Sequence, residues 1–453
     1  MAGNQTNDKS YRGDDLIQAI IQTEAEIEKA ERQKASAEKR MNQIRSSNTF
    51  KAAGRLKNFI AKNDRRLEFE MLEKELEDVR GKLQETYMEL QLARLDDRTM
   101  NSVKIQRMVK EMKDEAAILG YINEAIKQKK KHDENYRDAL TYAARLFKDR
   151  PPEYRHSIYS KLLGGMKVED IPEFMMREAL LEDPLQLKQA ASFRASLNMR
   201  IRRSQLGFMP PEYMLDDKQR GYAFADKLKV RRPWVSESTY TVDALPFEPG
   251  TVVKPVDGAG ARGVYLIHDT NDIIDIKQGR GIKTSDDLIQ SMKNDLISGR
   301  VEKDDWMMEE LILDDGSQAR DVKFYCFYGK VGVILEIERY PELKYCWWTA
   351  ENERIVTGKY DNSPFKGKGV DPKEVEMAEM ISAQVPAPFI RIDFLRSDEG
   401  LILGEFTPKP GNYDEFDAET DQYLGDLFLE AEGRLMQDLA SSVSFEAFKG
   451  LSW

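Results

Sequence analysis

The stretch RIDFLRSDEGLILGEFTPKPGN, Arg391 to Asn412, carries two carboxylates that could share one ion. Asp393 lies in one short apolar run, Phe389 to Leu395, and Glu405 lies in a second, Leu401 to Phe406. The polar connector between them, Arg396 to Gly400, contains the turn formers Asp398, Glu399 and Gly400, which predicts a β-hairpin. Alternation along the paired strands lets Asp393 and Glu405 share a face with Thr407 and Arg391. Two carboxylates so placed repel unless something positive lies between them, and Mg²⁺ held by carboxylate oxygens and bridging to phosphates meets that need. A chain with 80 acidic residues offers many such pairs, so an ordinary surface hairpin is the competing reading.

The phosphate side of this chemistry is legible upstream. In VVKPVDGAGARGVYLI, Val252 to Ile267, two β-prone runs flank Gly258, Gly260 and Gly263. The letters fit G-x-G-x-x-G, but the dinucleotide fingerprint needs a helix after the loop, and Val264 to Ile267 has no helical period. A strand, a glycine loop and a second strand make instead a flap whose backbone N–H groups close over phosphates, with Lys254 beside it as a point charge. Kinases place the phosphate lysine after such a loop and carry an H-R-D motif. Here Lys254 precedes the loop, and none of His132, His156 and His268 is followed by Arg-Asp.

The lysine strand, the flap, the string MMEELI (Met307 to Ile312), R-x-D and E-x-T-x-x-P-G follow one another in an order that resembles the ATP-grasp fold. EELILDDGSQARDVKFYCFYGKV, Glu309 to Val331, resembles the pattern of the TupA-like ATP-grasp proteins of teichuronopeptide and capsular polysaccharide loci. The resemblance spans roughly Leu206 to Leu439. It implies an α+β fold of two lobes clasping ATP, with ATP and Mg²⁺ as cofactors. It also implies an ATP-dependent carboxylate–amine ligase, working through an acyl phosphate and joining a carboxylated glycan to a small amine such as an amino acid.

The resemblance also distributes roles. Lys218, in the segment LDDKQRGYAFADKLKVRRP, would be a phosphate-reaching lysine, with Lys227 as the other candidate. Glu309 and the backbone of Leu311 would meet the adenine edge, and Asp314 or Asp315 would take the ribose hydroxyls. Thr407 stands where many members have a metal-binding Asn, beside the metal carboxylates Asp393 and Glu405. In DVKFYCFYG, Asp321 and Lys323 alternate with apolar residues, so a sheet packed on one side would turn them toward the cleft and make Lys323 a second phosphate ligand. Arg391 is the group best situated to stabilise a tetrahedral oxyanion. Tyr345, Trp347 and Trp348 in YCWWTA are either core rings or a stacking surface for a sugar.

These elements must be positioned by the remainder of the chain. With 453 residues there is room for two or three domains, and a net charge of −11 argues against a general nucleic-acid binder. Cys326 and Cys346 lie in apolar runs, which predicts core thiols rather than a zinc site or disulfide. The N-terminus has no apolar h-region and no run approaches a membrane span, from which a cytoplasmic protein is expected.

Residues 1–132 carry heptad-like seams from Leu16 to Ile44, from Phe69 to Ala93 and from Ile105 to Ile126. Such narrow stripes must be covered by an intramolecular helical bundle or by another copy, so a homo-oligomer through these helices is one expectation. Residues 133–205 read as shorter helices broken at Pro151-Pro152, Gly164-Gly165, Pro172 and Pro184, and 206–453 as the ATP-grasp domain. A coiled-coil interaction protein whose lobe only senses nucleotide, and a phosphotransferase, are the competing functions.

Overall fold

The computed structural model describes residues 70–83, 100–114, 117–180, 184–257, 261–339 and 342–451, with the isolated positions 27, 29, 32, 35 and 39. The chain divides into two compact units, Met1–Phe147 and Lys148–Trp453. Among the described residues no helix is long and apolar enough to cross a membrane.

In the first unit, residues 70–83 form α1, Ser102–Asp114 form α2 and Ile118–Leu146 form α3. Along α1 the less exposed positions are Leu72, Leu76, Val79 and Leu83, the expected stripe. Of the seam from Leu16 to Ile44 only Ile27 is described, helical and half-buried, and Phe69 and the part of the second seam beyond Leu83 lie outside the described residues. The third seam divides. The Ala117 N–H caps the Met112 carbonyl at 2.9 Å, and Met108 and Met112 bury against Ala117 and Tyr121. That break rotates the following turn, so Leu119, Ile122 and Ile126 are exposed. Helix α3 runs through the expected boundary after residue 132 without interruption.

The second unit begins with α4 (Pro152–Leu163) and reaches α5 (Phe193–Gln205) and α6 (Lys218–Lys227). Two antiparallel sheets follow. The first contains β1 (Thr251–Pro255), β2 (Tyr265–Asp269), β3 (Asp272–Asp275), β4 (Arg280–Ile282) and, after α7 (Ser285–Ile297), β5 (Trp306–Glu310), in the order β4-β3-β2-β1-β5. Val253, Tyr265, Trp306 and Met308 bury against Leu288 and Met292 of α7. Alternation then sends Lys254 and Glu309 to the opposite face.

A small hairpin, β6 (Leu313–Asp314) and β7 (Ser317–Gln318), leads to the second sheet. Its strands are β8 (Asp321–Cys326), β9 (Val331–Glu338), β10 (Lys344–Thr349), β11 (Arg354–Ile355), β12 (Ile390–Ser397) and β13 (Gly400–Thr407), in the order β11-β10-β9-β8-β12-β13. Helices α8 (Pro372–Ala383) and α9 (Ala418–Ala440) complete the layer. Asp371 caps α8 through a reciprocal capping box with Glu374, which fixes where that helix starts.

The sheet departs from the expectation of one covered face. Every residue of β8 is buried, because Phe193 and Phe416 cover Tyr325 on the face that also carries Asp321 and Lys323. The two sheets are strapped together by residues 231–236. Trp234 O and Ser236 N–H bond to Glu310 and Met308 of β5, and Arg231 O accepts the Leu403 N–H of β13 at 2.9 Å.

Candidate active site

The predicted hairpin forms with strands slightly longer than read, Ser397 pairing Gly400 around a two-residue turn. Asp393 lies opposite Glu405 on one side and Lys323 on the other, and Arg391 lies opposite Thr407 and Tyr325. Five of the sequence-predicted residues therefore share one patch of one sheet face.

Asp393 is 4 % exposed and balanced by two cations. Arg391 donates from Nε and Nη2 to its two oxygens at 2.7 and 2.8 Å, and Lys323 Nζ donates to Oδ2. Arg391 Nη2 also donates to Thr407 Oγ1 at 3.1 Å. Burial alone would raise the Asp393 carboxyl, but Arg391 and Lys323 outweigh it and hold it down to about 2. Arg339 clamps Asp321 bidentately at 2.6 and 3.0 Å, so that neighbouring carboxylate is committed.

Glu405 differs. Its side chain is exposed and accepts no hydrogen bond from a described residue. A free carboxylate opposite a buried one, with a hydroxyl beside it, is a donor set of hard oxygens, and it fits a divalent cation bound together with phosphate. The two cations already on Asp393 mean that Glu405 would carry the larger share of such an ion's charge.

Lys254 and Glu309 form a largely buried ion pair on the face of the first sheet away from α7. Burial lowers the Lys254 ammonium below the ordinary lysine range, Glu309 opposes that and Lys218 reinforces it, so the two lysines converge. Lys218 opens α6, whose N-cap Asp217 accepts from Arg220 N at 3.0 Å. Lys227, at the far end of that helix, donates to the Lys449 carbonyl at 3.0 Å and is turned away. Gly263 has φ +69, and a Cβ there would lie 2.7 Å from Val301, so the flap can close back onto β2 only with glycine. Gly258 and Gly260 lie outside the described residues.

The adenine and ribose expectations are only partly accommodated. The Leu311 N–H already donates to Gly250 O at 2.9 Å, which leaves its carbonyl as the backbone group for a base. Asp314 is taken by Arg320 at 3.0 Å and Lys368 at 2.9 Å, whereas Asp315, at φ +53 in the β6–β7 turn, is exposed and receives only the longer 3.3 Å contact from Lys368. Trp347 and Trp348 are core: their indole N–H groups donate to Lys359 O at 2.8 Å and Glu336 Oε2 at 3.1 Å. The stacking surface at that strand reduces to Tyr345, which lies parallel to Tyr360 at 4.3 Å.

Sequence reasoning missed three residues. Tyr222 sits one helical turn from Lys218, and burial, then Glu309, then Glu405 push its phenol up, so it feels a carboxylate of each sheet, while Arg232 lies over its ring at 4.9 Å. The i,i+4 spacing on an amphipathic helix could have found it. Arg200, 2 % exposed, pairs with buried Glu212 and donates to Pro408 O at 3.3 Å, fixing the loop after Thr407. Lys359, 1 % exposed, has no motif that announces it.

The family model described as TupA-like ATPgrasp matches residues 195–429. No curated protein matches the chain closely enough to count as a relative. Among solved structures, D-alanine–D-alanine ligase from Bacillus anthracis is 16% identical with a TM-score of 0.33, over 53% of this chain and 76% of that one. D-cycloserine synthetase DcsG is 14% identical with a TM-score of 0.31, over 52% and 79%. The ATP-grasp ligase PsnB, solved with Mg and ADP, is 13% identical with a TM-score of 0.29, over 52% and 66%.

Proposed function

The chain belongs to the TupA-like ATP-grasp family, and from that premise we propose that it is an ATP-dependent ligase joining a carboxylate to an amine through an acyl phosphate. The observation that carries the reading is the convergence of two charge clusters from two sheets. Lys254, Glu309 and Lys218 stand on one side, and Lys323, Asp393, Arg391 and Glu405 on the other, with Tyr222 feeling both Glu309 and Glu405.

On this reading Lys254 and Lys218 neutralise the phosphate chain of ATP while the flap closes over it, and Glu309 orients Lys254. Asp393, Glu405 and Thr407 would hold Mg²⁺, which supplies charge neutralisation at the transferring phosphoryl group. A substrate carboxylate oxygen attacks the γ-phosphorus, the bond to the bridging oxygen breaks and ADP leaves. The amine nitrogen then attacks the carbonyl carbon, the bond to the phosphate oxygen breaks, phosphate departs and the ammonium proton passes to solvent. Arg391, fixed bidentately by Asp393, offers its charge to the oxyanion without having to reorganise.

A glycan carboxylate as acceptor, and a cytoplasmic setting in envelope or polysaccharide synthesis, rest on the family resemblance, since Trp347 and Trp348 are buried. The test is magnesium-dependent ADP release by the full chain, measured against a panel of amino acids with and without uronate-containing glycans. Release that needs both an amine and a carboxylate supports the ligase. Release with a glycan and no amine, leaving an acyl phosphate on its carboxylate or a phosphate ester on one of its hydroxyls, points to the phosphotransferase, and nucleotide binding without turnover points to a sensor.

A further inference from the structure

Lys359 is a buried cation with no counter-ion among the described residues. It lies between β11 and α8, in a segment whose backbone is fixed at several points. Thr357 O accepts the Asp417 N–H at 2.7 Å, and the Trp347 indole donates to Lys359 O at 2.8 Å. Gly358 takes φ +80, and a Cβ there would meet Asp417 N at 2.7 Å, so the position accepts only glycine. Tyr360 takes φ +63, a left-handed conformation that is strained for an aromatic residue and persists only where its surroundings enforce it.

This held backbone aims the ammonium between the rings of Tyr360 and Phe416, 5.0 Å from each centroid, and onto the Gly411 carbonyl at 2.8 Å. No carboxylate of a described residue pairs with it. Burial, then the charge of Arg391, lower its pKa to about 8; Lys323 adds to the repulsion, while Glu415 and Asp414 attract without compensating. The nearby Tyr325 hydroxyl is buried without a hydrogen-bond partner, in a ring that lies 5.9 Å from the Arg391 guanidinium. A strap for the Gly411 turn needs only a neutral donor, whereas an unpaired ammonium at this depth is costly. Its retention next to Arg391 is explained by an anion that arrives from outside.

We propose that Lys359 is an anion-binding residue of the acceptor side of the cleft, where it and Arg391 together receive a carboxylate of a small substrate. This rests on the ligase reading and sharpens it. Tyr360, stacked on Tyr345 and accepting from Asn412 Nδ2 at 3.2 Å, forms the wall beside the ammonium. The exposed turn carrying Gly411 and Asn412 forms its cover, and the Gly411 carbonyl occupies the position that a carboxylate oxygen takes over.

The test is thermal unfolding of the full chain titrated with malonate, inorganic phosphate or chloride at matched ionic strength, with no nucleotide present. Malonate raises the wild-type Tm saturably and chloride does not. Lys359→Met melts in one transition at or above the wild-type Tm, and its half-saturating malonate rises about tenfold or more, the size of a lost charge-assisted hydrogen bond. Lys359→Arg keeps a malonate response. If Lys359→Met does not fold, the wild type alone decides, because its malonate response must fade as pH rises through the range in which Lys359 loses its proton. The proposal is overturned by a malonate response that Lys359→Met leaves intact, by one that ignores pH, by its absence, or by a response to phosphate but not malonate. Failure of the ligase reading is separate, since it shows as absent ADP release by the wild type.

Discussion

Glu405 faces Asp393 because Gly404 is left out of the ladder. From the turn inward the pairs run Ser397 with Gly400, Leu395 with Ile402 and Phe394 with Leu403, and the next pair is Asp393 with Glu405. A regular ladder would set Asp393 against Gly404 and turn Glu405 to the other face. The bulge residue is a glycine whose Cβ position lies 3.3 Å from Asp393 O, so the strands approach closely there. Deleting Gly404 leaves Glu405 directly after Leu403 and so still opposite Asp393, in a ladder without the bulge. We expect magnesium-dependent ADP release to survive that deletion, whereas Glu405→Gln lowers it by about 10²-fold or more, as for loss of a charged ligand. A deletion variant that folds but loses turnover to the same degree shows that the facing of the two carboxylates is not what the site needs.

Glu405→Gln and Asp393→Asn separate function from stability. Both should lose ADP release to a similar degree. Only Asp393→Asn should also unfold more readily, since it leaves Arg391 and Lys323 buried without their counter-charge, a change that costs about 3–5 kcal/mol. Urea denaturation of both variants checks this, and equal stabilities for the two contradict the buried triad.

What was legible in the sequence was what alternation and turn chemistry control. The hairpin, the flap strands, α7 and the pairing of charged residues on one sheet face all follow from period and punctuation. Helix α7 spans Ser285–Ile297, where Leu288, Met292 and Leu296 recur at helical spacing. The covering of that face was not legible, because Phe193 and Phe416 come from distant segments and no local pattern marks them as partners of Tyr325. Arg200 stands beside Arg202 and Arg203 in one short basic string, yet it is the buried member, and only the tertiary position of Glu212 explains why. Lys359 was silent for the same reason: a lone lysine between glycine and tyrosine looks like a surface turn.

Arg200 gives a prediction about positioning. It stacks near Tyr213 and Phe389, pairs with Glu212 and reaches Pro408 O, so it fixes the start of β12 and the end of β13 together. Arg200→Met leaves Glu212 buried and unpaired and should cost about 3–5 kcal/mol. The double variant with Glu212→Gln should recover much of that loss. Additive losses in the double-mutant cycle, read by urea denaturation, contradict the pairing.

The exposed Leu119, Ile122 and Ile126 on α3 bear on the proposed homo-oligomer. If a second copy covers them, replacing all three by Gln lowers the mass seen by light scattering. An unchanged mass means that they are not the contact.

Lys359 ties stability to pH with a definite sign. Its pKa is about 8 in the folded chain against 10.5 for an ordinary lysine, so between those values the unfolded chain binds the proton more readily. Raising the pH through this window therefore stabilises the folded form, and below about 8 the full penalty is present. A difference of that size corresponds to ~3 kcal/mol. The charged groups acting on Lys359 are Arg391, Glu415, Asp414 and Lys323. Other lysines and tyrosines do titrate there, so the measurement is the difference in urea stability between wild type and Lys359→Met. That difference should favour the variant most at pH 7.5 and shrink steadily toward pH 10.5. Parallel curves across the window mean that Lys359 is solvated or already paired, and the uncompensated ammonium is then not a feature of the folded protein.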